Sequence, residues 1–547
     1  MKIKLCIISL CIIIFASCSD NINLDSNTDC TFPSYTYFYT LPDKTQTLTF
    51  PEEHSGKECF IIYTNEETQN LHIADNGISI KRVERTANAK QHLTVENAAI
   101  NIGDGFYRQD VSFELPVIEN QTTPSGRSAR AITTSKYYRD PSNPDFYIAS
   151  KSSDIDASPK SFTKKYEGNH CRIWYLKKSG ISIADTEFSK LGHAIDEIFT
   201  GMTQIFGSNS YNINSSIYIK TNTETKIDVL VYDLFGDADE NQKKGTFGFF
   251  NPYDFYLNKV LSDKTSNEAQ VIHIDSFFLS RDISYNTQKV KSTLIHEFQH
   301  LLNFCNKSKS YNTWYTEMLS LCAEDIFQNT INLRDDDSPK SRFYEDFNRP
   351  WIGFLNWPAS QTADVYNAYA NIYAFGAFLL RNYGGIHLFH EIATNKYVNE
   401  ASITNALQKL GYKEDFYSVL RKFGMIFIFA DSDSNYSLKK SFQETFYLKN
   451  YNISQIRLNN YYFKSYDTKE KMDYDYYNIL YNKYLTGIYY LGEYLLKGPR
   501  IYLADYHLSE EIRPYGFCVY YMGTVEPEKT YQINNSNNLT ITVVVRN

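Results

Sequence analysis

The stretch TLIHEFQHLLNF, residues 293–304, decides how this chain is read. Its apolar residues Leu294, Ile295, Phe298, Leu301 and Leu302 recur at helical spacing, so the stretch predicts a largely buried helix with a polar insertion. His296 and His300 are four apart and fall on one helical face, about 40° from each other around the axis. Glu297 sits at the flank of that face. Two imidazoles so placed can hold one metal ion while the carboxylate reaches a water beside it. A chance His-Glu-x-x-His is expected on the order of 0.01 times in a chain with eleven histidines.

Zinc needs a third protein ligand and leaves a fourth position for water. After the polar CNKSKSYN, the stretch TWYTEMLSLCAEDIF (residues 313–327) predicts a second helix. Glu317, 17 residues beyond His300, is the preferred third ligand, because that length lets an antiparallel helix return alongside the first. Glu324, seven residues further on the same face, is the competing ligand; with Glu317 bound, Glu324 or Asp325 would orient a histidine from behind.

HEFQHLLNF followed by W-x-x-E-x-L-S-x-x-A-E resembles the hyicolysin-type zinc metallopeptidases, peptidase family M30 of the gluzincin group. The resemblance covers roughly residues 170–400 and implies His296, His300 and Glu317 as zinc ligands, with Glu297 as general base. Thr316 and Met318 depart from it, standing where Asn and Gly are usual. NIYAFGAFLLRNYGGIHLF (371–389) resembles a segment of gluzincin aminopeptidases whose tyrosine stabilises the oxyanion, which implies Tyr373 in that role, with His387 and His390 as fallbacks. The GxMEN motif by which those aminopeptidases capture a free amine is absent, and this favours internal cleavage.

The first residues, MKIKLCIISLCIIIFASCSD, carry two lysines, an apolar run too short to span a bilayer comfortably, and small residues before Cys18. FASC resembles a bacterial lipobox, so Cys18 is the expected lipidation site. Residues 1–17 then form a lipoprotein signal peptide, and the chain is expected in a bacterial cell envelope, anchored at the outer membrane or cell surface. Six cysteines outside that region permit disulfides, with Cys30–Cys59 and Cys305–Cys322 as candidate pairs.

At 547 residues the chain is too long for one core. A net charge of −8 and the lack of a GxxxxGK[ST] loop argue against nucleic-acid partners and a phosphate-cradling site. After a tether (18–30), residues 31–118 alternate in short strands and predict a β domain; 119–146, rich in Ser, Thr and Pro, read as a linker. Residues 147–430 are mixed α/β, and 431–547 alternate again as a second β domain. The expected fold is therefore α+β and multidomain, a gluzincin-like zinc peptidase domain flanked by N- and C-terminal β domains. DADEN (237–241) imitates the start of a calcium loop, but Gln242 and Gly248 stand where Gly and Glu are needed, so a polar loop is the better reading. The expected function is an exported zinc endopeptidase acting on protein or peptide substrates; the rivals are an aminopeptidase-like exopeptidase and a non-catalytic adhesin.

Overall fold

The computed structural model describes residues 46–73, 142–458 and 511–546 apart from short internal stretches, together with isolated strands at 30–31, 38–41, 78–80, 107–109, 461–463 and 500–503. The expected signal peptide, Cys18 and most of the expected tether and linker lie outside the described residues. The protein is α+β, with several sheets and a helical body.

A five-stranded sheet organises the central region. Its strands are β1 (Thr163–Glu167), β2 (Cys171–Tyr175), β3 (Ile227–Tyr232), β4 (Gly248–Phe250) and β5 (Val271–Asp275), in the order β1-β2-β3-β5-β4. β2, β3 and β5 run parallel, and β4 pairs antiparallel with β5 at the edge. Every residue of β3 and β5 is buried, as parallel strands covered on both faces require. α1 (Asp185–Phe206) stops at Gly207, whose φ of +94° an L side chain resists. A side chain there would also strike Asn306, whose amide bonds Ser208 O at 2.8 Å. That close approach sets the end of α2 (Ile283–Asn306) against the end of α1.

α2 carries His296 and His300, and α3 (Thr313–Phe327) carries Glu317 and Glu324. Their contacts pair rising numbers on one helix with falling numbers on the other: Ser292 with Glu324, Gln299 with Ser320, Asn303 with Thr316. The helices are therefore antiparallel. This register also explains why the candidate disulfide Cys305–Cys322 does not form. Cys322 lies opposite the turn around His296, about 14 Å along the axis from Cys305 at 1.5 Å per residue, whereas a disulfide needs Cα atoms within about 7 Å. Both thiols are free, and so is that of Cys59, which removes the Cys30–Cys59 pair as well.

Among the described residues, the two expected β domains share one sheet. Strand 58–64 pairs antiparallel with both 517–524 and 540–546, inside a six-stranded sheet built from the two ends of the chain. Cys59, Ile61 and Tyr63 point into a core shared with Leu48, Tyr531 and Ile533 of the second, four-stranded sheet. Phe60 and Ile62, on the opposite face, pack with the helical body, where Phe423 and Phe427 meet the Phe517 ring at 5.0 and 5.1 Å. Sequence alternation shows each strand but not its partner. The C-terminal boundary shifts too. The hairpin of strands 442–446 and 449–453 packs on the helical body, with the Tyr451 ring 5.6 Å from Phe327.

α3 is tied from behind to α4 (Ala363–Asn382) by a buried ion pair, Arg381 Nη1 to Asp325 Oδ2 at 2.8 Å and Nη2 to Oδ1 at 3.2 Å. Burial pulls the Asp325 carboxyl upward, but the Arg381 charge outweighs it and holds the group below the usual carboxylate range. A depressed pKa means that this contribution is present above about pH 4 and is lost as acid titrates the folded state. Arg381→Met should cost about 3–5 kcal/mol at neutral pH by stranding the Asp325 charge. The deficit should shrink below about pH 4. Urea melts of both proteins across pH measure it, and a neutral-pH loss under about 1 kcal/mol would contradict the role given to the pair.

Candidate metal centre

Each centre residue occupies its place because of the helix that carries it. One turn of α2 presents His296 and His300, whose ring centroids stand 4.7 Å apart and nearly perpendicular. The second helix brings Glu317 between them. Glu317 Oε2 lies 3.1 Å from His296 Nε2, and Oε1 lies 3.5 Å from His300 Nε2. His296 and Glu317 are fully buried, while the His300 side chain is 13% exposed, so the centre opens on the His300 side. Ligand atoms of the three residues all lie within 4.8 Å of one another, the one such group among the described residues.

The other face of the His296 imidazole fixes its tautomer. His296 Nδ1 lies 2.7 Å from Glu324 Oε1, and the second oxygen of Glu324 accepts from the Ser292 hydroxyl. A carboxylate can only accept, so His296 carries its proton on Nδ1 and turns the lone pair of Nε2 inward. His300 Nδ1 faces the hydroxyls of Thr316 at 2.9 Å and Ser320 at 3.2 Å. The Nε2 atoms of both rings and a carboxylate thus converge in a buried space. Only a cation or additional protons reconcile that arrangement.

The donor set fits zinc. Bonds of about 2.0–2.1 Å in a tetrahedron place neighbouring ligand atoms about 3.3 Å apart. The 3.1 and 3.5 Å separations bracket that value. Two imidazoles and a carboxylate are also the ligands that this borderline ion takes in centres that keep a position open. Glu297, one residue past His296, is buried, and its Oε2 accepts the Phe250 N–H at 2.9 Å. That N–H belongs to the edge strand β4 and points away from β5, so the sheet edge itself aims the carboxylate.

The structure thus brings His296, Glu297, His300, Glu317 and Glu324 together and puts Tyr373 elsewhere. Tyr373 lies on α4, fully buried, with its ring 5.1 Å from that of Phe343. Burial first, and then the Asp325 charge, push its hydroxyl far above the usual tyrosine range. It belongs to the Asp325–Arg381 cluster, not to the open side of the centre. His390 binds Gln204 O through Nδ1 at 3.0 Å, and His387 lies 3.7 Å from Glu444. Sequence reasoning missed Ser292, Thr316, Ser320 and the Phe250 N–H. Two of these lie at helical offsets from known members: Ser292 is four before His296, and Ser320 is three after Glu317. No side-chain pattern could have announced a backbone donor.

A two-helix His₂Glu centre with a carboxylate at its rim defines a class of metal site, and the comparisons narrow it. Residues 178–431, a little under half of the chain, match the model of the Peptidase M30 family. The chain is also similar to the neutral metalloprotease ShpI of Staphylococcus hyicus, 25% identical over 257 residues. That match takes in 45% of this chain and 53% of the relative, so it spans about half the relative's length.

Replacing Glu324 with Gln removes the charge behind His296 and should weaken zinc affinity about 10–100-fold. Competition against a chromophoric chelator measures it; unchanged affinity would show that His296 needs no carboxylate behind it.

Proposed function

We propose that the chain is a zinc-dependent endopeptidase of the cell envelope that cuts protein substrates within the chain. One observation carries the reading: the Nε2 atoms of His296 and His300 meet the Glu317 carboxylate beside the held carboxylate of Glu297. The family match over residues 178–431 and the likeness to a neutral metalloprotease support it. Export and anchoring rest on the N-terminal sequence, with Cys18 as the lipidated residue. The gluzincin-like arrangement rests on the two antiparallel helices that carry the donor set.

A zinc ion held by His296, His300 and Glu317 would supply Lewis acidity, polarising a carbonyl and lowering the pKa of a water towards about 7. The chain provides the proton handling. Glu297 accepts the proton of the attacking water and returns it to the leaving amine. Its Phe250 N–H partner holds the carboxylate in place before substrate arrives, so little reorganisation is needed at the moment of transfer. Ser292 and Glu324 keep the His296 ring from turning. Tyr373 takes no part in this reading, because its hydroxyl is enclosed with Asp325 and Arg381.

Gln at position 297 keeps an oxygen for the Phe250 N–H but cannot take up a proton. Glu297→Gln should therefore retain zinc and lose at least about a hundredfold of turnover. The assay is digestion of an unfolded protein by zinc-loaded residues 19–547, with blocked and free N-terminal peptides alongside. Internal fragments and equal cutting of blocked peptides support the endopeptidase; cutting of free N-termini alone would make it an exopeptidase. Zinc uptake without cleavage by the parent would set proteolysis of general substrates aside.

A further inference from the structure

The two histidines are supported by different chemistry. Behind His296 stands a carboxylate; behind His300 stand two neutral hydroxyls, Thr316 Oγ1 at 2.9 Å and Ser320 Oγ at 3.2 Å from the same Nδ1. The Ser320 proton of this cradle can be assigned. Ser320 donates its only hydroxyl proton to Gln299 Oε1 at 2.6 Å, so it meets His300 as an acceptor. Thr316 accepts from Asn303 Nδ2 at 3.2 Å and has a second lone pair for the ring. Gln299 and Asn303 flank His300 on α2, while Thr316 and Ser320 are one turn apart on α3. Two hydroxyls of α3 therefore face one ring nitrogen, and each is engaged in turn by a side chain of α2.

We infer that Thr316 and Ser320 are joint positioning residues for His300, sharing its single Nδ1 proton so that either hydroxyl alone can hold the ring with Nε2 turned inward. The inference rests on the metal-centre reading above. A neutral acceptor forms a weaker bond than a charged one, about half as strong, and a pair of hydroxyls compensates where His296 has a carboxylate. Gln299 matters because it commits the Ser320 proton elsewhere. Without that sink, the Ser320 hydroxyl could point its proton at Nδ1 and favour the opposite tautomer, with Nε2 protonated and unable to bind a metal.

Redundancy has a signature that ordinary packing lacks. Thr316→Val and Ser320→Ala should each weaken zinc binding by no more than about threefold. The double variant should lose about 30–100-fold, well beyond the product of the two. Zinc affinity is read by chelator competition, apo-protein melting is followed beside it, and imidazole ¹⁵N shifts of the zinc-loaded protein report the His300 tautomer. Thr316→Ser with Ser320→Ala, which restores one hydroxyl, should recover the affinity of the single variants and the Nδ1–H signature. Should the Val/Ala pair lack a cooperative melt, Thr316→Val with Ser320→Cys takes its place, a thiol being a weak acceptor of similar size. Losses that simply multiply, a double variant within twofold of the parent, or no rescue by Ser at 316 would each overturn the inference while the parent's zinc binding leaves the metal centre standing. A parent chain that binds no zinc would sink the metal-centre reading first and this one with it.

Discussion

The fold turns on a repulsion. His296 Nε2 and the Glu317 carboxylate are both proton acceptors, and the packing of α2 against α3 holds Glu317 3.1 and 3.5 Å from the Nε2 atoms of His296 and His300 in a buried space. Such a cluster costs several kcal/mol unless positive charge fills it. The surroundings enforce it. Glu324 and Ser292 fix one ring, Thr316 and Ser320 fix the other, and the Asp325–Arg381 pair braces α3 from behind. A site this constrained is prepared for an ion rather than assembled by it.

The sheet gives the site its direction. β3 and β5 are central and buried on both faces, so α2 has a rigid floor, while the antiparallel β4 leaves an outer edge beside it. From that edge Phe250 N–H reaches Glu297. The Glu297 carboxylate is thereby tied to the sheet, whereas His296, His300 and Glu317 are carried by helices. Movement of either layer would change their separation. The sandwich at the ends of the chain contributes differently. Its alternating strand 58–64 serves two cores at once, with Ile61 on one face and Ile62 on the other, and so joins the chain termini to the helical body.

Local pattern carried much of this in the sequence. Helical spacing around His296 and His300 located α2, and TWYTEMLSLCAEDIF coincides with α3 from end to end. Tertiary choices were not legible. Alternation marks Glu58–Thr64 as a strand but is silent about partners more than 450 residues away, so one shared sheet read as two domains. Tyr373 sat in a persuasive local motif, yet which face of α4 meets solvent is set by packing against α3. The cysteine pairs failed for the same reason, since helix register, not residue count, separates Cys305 from Cys322.

Zinc-edge X-ray absorption of the stoichiometrically loaded chain tests the central claim most directly, because it reads the ligand atoms rather than their consequences. The account predicts one zinc per chain with only nitrogen and oxygen neighbours at about 2.0–2.1 Å, and outer-shell scattering from two imidazoles. A sulfur neighbour at about 2.3 Å, a single imidazole, or no stoichiometric zinc would contradict a centre built from His296, His300 and Glu317.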